Sequence, residues 1–181
     1  RRTQASRFWP QRIRGRAING ILFCLRIALR LLRYSRRGDL IVYTTEPPYL
    51  PLLGWFLHCL TRTPYLVLLY DLYPDVLVEL GVLSSDSALV RLWRQLNRWM
   101  FANAEELIVL SEPMAERVRS SAPGVASKLS VISSWADPQL IQHLAKAENW
   151  FVQKHHLADR FTVLYSGNQG RCHDMVTVLA A

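Results

Sequence analysis

The sequence predicts an α/β chain built on a doubly wound parallel sheet, and three observations carry that expectation. Short apolar runs rich in β-branched residues, DLIVYTT (39–45), PYLVLLY (64–70), ELIVLS (106–111), KLSVIS (128–133) and FTVLYS (161–166), alternate with stretches of helical character. Such a rhythm marks parallel strands joined by right-handed helical crossovers. The runs are apolar at nearly every position rather than alternating, as strands covered on both faces are. Half of the 181 residues are hydrophobic and a tenth aromatic, enough to bury a substantial core.

Each element has its own signal. Residues 11–37 read as a helix, because Leu22, Leu25, Leu29 and Leu32 recur every three to four positions and Arg26, Arg30, Arg33 and Arg37 do so on another side. Further helices are expected over 48–60, 75–81, 88–102, 113–120, 139–156 and 174–181. The segment 135–157 is a long polar helical connection between two apolar runs, and it sets residues from Phe161 onward apart as the start of a second domain.

The net charge of +8 is unevenly placed. Arg1, Arg2, Arg7, Arg12, Arg14, Arg16, Arg26, Arg30, Arg33, Arg36 and Arg37 all precede the first acidic residue, Asp39. The rest of the chain holds 11 basic against 14 acidic residues, a net of −3. The basic amphipathic segment has two readings: an apolar stripe in the core with solvated arginines, or contact with anionic lipid or a lipid-phosphate substrate. Cys24, Cys59 and Cys172 are odd in number and lack C-x-x-C spacing, so neither a disulfide framework nor a zinc site is expected, and a reducing cytoplasmic setting fits. The uncharged stretch from Ala17 to Leu25 is too short to span a bilayer, which takes about 20 apolar residues. Eleven arginines at one end also raise nucleic-acid binding. No known module pattern accompanies them, and the remainder is net acidic.

In open α/β sheets ligands sit beyond the carboxyl ends of the strands. Those ends carry Thr44, Thr45 and Glu46; Asp71; Ser111 and Glu112; Ser133 and Ser134; and Ser166, Gly167 and Asn168. Asp71 comes directly after the run 66–70 and precedes YPD, where Pro74 starts a helix. Its carboxylate suits ordering a sugar hydroxyl or taking a proton, with simple turn closure as the alternative. Glu46, ahead of two prolines that stiffen the turn, is the second catalytic candidate; structural punctuation is its rival. Ser111 is a cleft residue or an ordinary helix cap. In SGNQGR, Gly167 and Gly170 permit a close backbone path, Arg171 offers a charge-assisted donor, and a helix N-terminus comes next. A phosphate-binding loop or a simple tight turn both account for it.

The motifs TTEPP, YDLYPDVLVELGVL, ANAEELIVLSEPM, VISSWADP, AENWFV and LYSGNQGRCHDM occur in this order over 39–181. Together they resemble the retaining, nucleotide-sugar-dependent glycosyltransferases of family 4, most closely the bacterial exopolysaccharide and lipopolysaccharide branch. The resemblance implies a partial GT-B architecture with Rossmann-like domains. Residues 1–37 would be a basic helical segment of the first domain, 38–138 the incomplete acceptor-side domain, 139–158 the interdomain connection and 159–181 the start of the nucleotide-sugar domain. It places Gly167, Asn168, Gly170 and Arg171 near the donor diphosphate, and Ser111, Ser134 and Trp135 at the cleft. It implies no metal and no cofactor beyond the nucleotide sugar as co-substrate, since loop N–H groups, basic side chains and a helix dipole stabilise the leaving diphosphate.

On the same comparison a first strand with a glycine turn would precede Arg1, and most of the second domain would lie beyond Ala181. The chain is then expected to be a fragment, inactive alone. The expected function is transfer of a hexose-type sugar from a nucleotide sugar to a lipid-linked or saccharide acceptor with retention, in cell-surface polysaccharide synthesis. The expected location is cytoplasmic or peripheral on the inner membrane face, with an anionic membrane surface as a further partner. The alternative is a non-catalytic binding or scaffold module.

Overall fold

The computed structural model describes residues 13–167 and 174–180. The chain divides into two compact units, Arg1–Ser133 and Ser134–Ala181. In the first, helix α1 (Ile13–Tyr34) leads into β1 (Ile41–Thr44), α2 (Leu50–Thr61), β2 (Tyr65–Leu69), α3 (Asp75–Glu79), α4 (Ala88–Asn103), β3 (Glu106–Val109), α5 (Glu112–Ser121), a 3-10 turn (Pro123–Lys128) and β4 (Leu129–Val131). All strand pairs are parallel, in the order β1-β2-β3-β4. The α/β class and the parallel sheet flanked by helices are therefore as the sequence predicts, with the first four apolar runs each supplying a strand.

Because the strands keep chain order across the sheet, right-handed crossovers put every connecting helix on the same side. The core agrees. Tyr43, Tyr65, Val67, Leu69, Leu107 and Val109 lie in register on one face and pack with Leu50, Met100, Phe101, Ala115 and Val118 from the helices. On the other face Val42 is 55% exposed, and Leu66, Leu68 and Ile108 are half-buried. Burial on both faces, expected from the continuous apolar runs, thus holds for one face only among the described residues. Ser130 and Glu106 share the open face and hydrogen-bond across adjacent strands.

Helix ends reflect local chemistry. The Ser87 hydroxyl accepts the Val90 N–H at 3.2 Å and starts α4. Pro51 and Pro113 stand in the first turns of α2 and α5, where a missing N–H costs nothing. Two glycines are required by close packing. A Cβ on Gly20 of α1 would fall 1.9 Å from the Tyr49 hydroxyl, and one on Gly54 of α2 would fall 2.5 Å from the Tyr43 ring.

The face α1 turns to the core differs from the leucine stripe. Phe23, Cys24, Ile27 and Leu31 pack against the core, whereas Leu25, Leu29 and Leu32 point outward with Ile18 and Ile21. Helical period identifies stripes, and here there are two; only tertiary packing decides which is covered. Arg26, Arg30 and Arg33 are exposed. Arg1, Arg2, Arg7 and Arg12 lie outside the described residues.

In the second unit two expected elements are replaced. The stretch 139–156 is not one helix: a 3-10 turn (Lys146–Glu148) and a short α6 (Trp150–Lys154) come after irregular chain. The Asn149 side chain interrupts by capping the Phe151 and Val152 N–H groups at 2.9 and 3.4 Å. Leu140 and Ile141 remain exposed, so no packed face supports a longer helix. The run 161–166 pairs with no strand among the described residues, and Phe161 is 97% exposed; β-propensity without a neighbouring ladder makes no strand. Helix α7 (Met175–Ala180) is the last element.

Two buried tyrosines differ in satisfaction. The Tyr65 hydroxyl donates to the Met100 carbonyl at 2.5 Å, while the Tyr43 hydroxyl is buried with no partner among the described residues. Tyr65→Phe is expected to lose about 1–2 kcal/mol in urea unfolding, and Tyr43→Phe to gain up to about 1 kcal/mol. Burial also pushes the Tyr43 phenol up to about 12 and the Cys24 thiol up to about 11, from ordinary values of 10.0 and 9.0. Tyr65 moves the same way, through burial first and then its neighbours Cys59 and Tyr43. Folded-state values above unfolded ones mean that this stability is complete below about pH 9 and is lost as pH rises toward 12. A series of unfolding curves across that alkaline range checks the slope.

Candidate functional site

The parallel sheet brings Thr45, Asp71 and Ser111 to its carboxyl edge, at the ends of neighbouring strands β1, β2 and β3. Thr45 is 4% exposed, and its hydroxyl accepts the N–H groups of Tyr70 and Asp71 at 3.1 and 3.2 Å. One side chain at the end of β1 thereby fixes the backbone at the end of β2. The loop beyond β2 is held from three further directions. Tyr73 stacks on Trp93 of α4 with ring centres 6.0 Å apart. Asn97 of α4 donates to the Tyr73 carbonyl at 2.6 Å. Asp75, at the start of α3, accepts from Arg94 of α4 at 3.0 Å and from Arg117 of α5 at 3.1 Å.

Asp75 and Asp71 therefore have different tasks. Both Asp75 oxygens are committed, to a different helix each, and Arg117 also reaches Glu79 at 3.5 Å. The hydrogen bond and charge of Asp75 hold the Arg117 guanidinium above its ordinary range. Asp75 is structural, tying α3, α4 and α5 together. The Asp71 carboxylate makes no hydrogen bond or ion pair among the described residues, and it lines a pocket with Thr45, Tyr73, Arg94, Asn97 and Arg117. The pocket's volume is about 60 Å³, room for a few waters and too little for a whole sugar ring. A carboxylate on an immobilised backbone, uncommitted among the described residues and lining a pocket that Arg94 and Arg117 also line, is a hydrogen-bond acceptor for a hydroxyl-bearing ligand at the pocket mouth.

The structure places the other predicted residues at several separate points. Glu46 is exposed at the end of β1, does not line the Asp71 pocket, and has no side-chain partner among the described residues. Ser111 is the residue before α5, but its hydroxyl makes no capping bond, so the cap reading holds by position only. Ser134 and Trp135 belong to the second unit; both are exposed, Trp135 at 83%. Gly167 lies in a bend without a left-handed φ, and a Cβ there would make an ordinary 3.4 Å contact with the Tyr165 hydroxyl. Asn168, Gly170 and Arg171 lie outside the described residues. Asp174 takes the first turn of α7 for itself: its carboxylate accepts from the Thr177 N–H at 3.2 Å and the Thr177 hydroxyl at 2.5 Å, which hold its pKa below the ordinary value. Arg94, Asn97, Arg117 and Trp93 are beyond sequence reasoning, since nothing in their spacing ties them to residues 71–75. Among the described residues no group of three or more His, Cys, Asp or Glu side chains is arranged to hold a metal ion.

A parallel α/β sheet with a polar, Asp-bearing crevice at its carboxyl edge defines the class of ligand-binding α/β domains. The chain belongs to the glycosyl transferase 4-like domain family, whose model matches residues 2–135. It is also 25% identical over 170 residues to the probable glycosyltransferase WbjE of Pseudomonas aeruginosa, an alignment covering 94% of this chain and 42% of that protein. The chain thus spans less than half the length of that relative.

Removing the Asp75 charge separates the two aspartates experimentally. Asp75→Asn is expected to cost about 1–2 kcal/mol, since one partner is over half exposed and its pairing is screened. Asp71→Asn should leave stability within about 0.5 kcal/mol. Urea unfolding of the two variants measures both.

Proposed function

We propose that this chain is part of a glycosyltransferase, most of its acceptor-side domain with the start of its nucleotide-sugar domain, that moves a hexose-type sugar from a nucleotide-sugar donor to a lipid-linked or saccharide acceptor, with retention, in cell-surface polysaccharide synthesis. The observation that carries the reading is the Asp71 carboxylate, uncommitted among the described residues, on a backbone whose N–H donates to Thr45 at the carboxyl edge of the parallel sheet. In this role Asp71 takes the proton of the acceptor hydroxyl as that oxygen bonds to the anomeric carbon on the face the diphosphate leaves, and the bond to the diphosphate breaks with its electron pair going to the diphosphate. Glu46, exposed on the same edge, is the second candidate for contact with acceptor. Donor-phosphate contact falls to the loop at Gly167, Asn168, Gly170 and Arg171. N–H groups and basic side chains there would stabilise the leaving diphosphate without a metal. Ser111, Ser134 and Trp135 would border the cleft.

Because the matched relative is more than twice as long, we further propose that transfer needs more than these 181 residues. The second reading, a non-catalytic binding module, rests on the same crevice used for binding alone. A transfer assay with labelled nucleotide sugars, run on the product of the whole reading frame, tests both. Asp71→Asn is expected to reduce kcat roughly a hundredfold with little change in unfolding midpoint. Unchanged kcat removes Asp71 from the chemistry. Transfer by the 181-residue chain alone refutes the need for a larger protein, and absence of transfer by the whole product with saccharide binding retained favours the binding module.

A further inference from the structure

At the amino edge of the sheet, the edge away from Asp71, two turns face each other across a hollow of about 390 Å³. One follows α1 and leads into β1, and the other follows α2 and leads into β2. They line the hollow with Ser35, Arg36, Arg37, Asp39, Arg62 and Thr63. Both turns are fixed by bonds that spend no guanidinium. Asp39 accepts the Arg36 N–H at 2.8 Å and returns its own N–H to the Arg36 carbonyl at 3.2 Å, with Gly38 at a φ of 95° between them. In the second turn Arg62 takes a left-handed φ of 58°, and the Thr63 N–H donates to the Thr61 hydroxyl at 3.4 Å. The Ile41 N–H, donating to the Pro64 carbonyl at 3.1 Å, ties the two turns together where the strands begin to pair.

The ordinary task of an arginine just after a helix is to complement its carbonyl end. Other groups do that here. The Leu31, Leu57 and His58 carbonyls accept from the Ser35 N–H, the Thr61 hydroxyl and the Arg62 N–H, at 2.8 Å each. The Arg36, Arg37 and Arg62 guanidinium groups make no hydrogen bond or ion pair among the described residues. Asp39 is the one carboxylate lining the hollow; Glu105 and Glu106 stand further along the same edge and do not line it.

We propose that this hollow binds a soluble diphosphate, free or esterified to a nucleoside, between Arg36 and Arg37 of one turn and Arg62 of the other. Uncommitted guanidinium groups around one concavity focus a positive field into it, and their planar forks match phosphate oxygens. Donors from two separate turns suit two linked phosphates better than one. The volume is more than six times that of the Asp71 pocket and leaves room for them. Leu31, Leu32 and Pro64 add an apolar wall for whatever the diphosphate carries. The five-residue length of β2, about 16 Å, separates the hollow from Asp71. A ligand here therefore leaves the Asp71 crevice open, and glycosyl transfer is not a premise of the site.

Isothermal titration of the 181-residue chain with pyrophosphate, inorganic phosphate and uridine diphosphate tests it. Pyrophosphate is expected to bind about tenfold or more tightly than inorganic phosphate, with affinity falling as salt is added. Uridine diphosphate binding at least as tightly as pyrophosphate identifies the ligand as an esterified diphosphate, and weaker binding identifies the free anion. Arg36→Gln with Arg62→Gln should weaken pyrophosphate binding roughly tenfold or more. Arg26→Gln with Arg30→Gln removes the same charge from α1 outside the hollow and should leave binding within about twofold. All four arginines are exposed, and circular dichroism confirms that the variants fold. Hydrogen exchange locates the ligand, with protection expected over 35–39 and 61–63. No binding, equal affinity for phosphate and pyrophosphate, equal losses in the two double variants, or protection confined to 166–173 would each overturn the proposal.

Discussion

The winding of the sheet is the constraint on which most other features depend. Four parallel strands laid down in chain order leave right-handed crossovers no choice of side. Helices α2, α4 and α5 therefore crowd one face, and α1 joins that layer at its edge against α2 through the close approach at Gly20. Core strand residues come from alternate positions, Tyr65, Val67 and Leu69 in β2, while their neighbours Leu66 and Leu68 stay half-buried. The apolar character of the intervening residues is consequently in excess of what the described helices use. The same geometry puts the carboxyl ends of β1, β2 and β3 side by side, so that short polar side chains can reach across strands.

At that edge rigidity and reactivity are divided between different residues. Thr45 commits its hydroxyl to two backbone N–H groups, and Asp75 commits both carboxylate oxygens to arginines from two helices. Each satisfied group removes a degree of freedom from residues 70–75. Asp71 is what remains: a carboxylate, on a fixed backbone, that has no hydrogen bond or ion pair among the described residues. Preorganisation of this kind is how a scaffold makes one side chain available without letting it wander. The stacking of Tyr73 on Trp93 supports the loop from its apolar side, so polar and apolar restraints act on the same few residues.

Much of this is legible in the sequence, for identifiable reasons. Strands β1 to β4 and helices α2 to α5 fall on the expected stretches because their apolar periods are flanked by Pro, Ser and Gly where elements start or stop. Asp71 is visible as a carboxylate directly after an apolar run. Its neighbour Asp75 reads only as a charge at a helix start, because the arginines that define its role stand 19 and 42 residues further on; no local pattern encodes a pairing at that separation. The run 161–166 misleads in the opposite direction. Its β-branched residues satisfy every local rule for a strand, but a strand exists only with a neighbour to complete its hydrogen bonds, and among the described residues it has none. The stretch 139–156 fails similarly, since polar helical period needs a packed face to become a helix and Asn149 is better used as a cap.

Helix α1 shows where periodicity reaches its limit. A 22-residue helix with apolar residues in two sectors and arginines in a third yields strong periodic signals for both sectors, and leucine is the more hydrophobic marker. Yet the core takes Phe23, Cys24, Ile27 and Leu31 and leaves the leucines Leu25, Leu29 and Leu32 in water. Gly20 lies on the buried side, where a Cβ would fall 1.9 Å from the Tyr49 hydroxyl. That side carries Phe23, Cys24, Ile27 and Leu31 inward with it. The arginines and the outer leucines then share the solvent side.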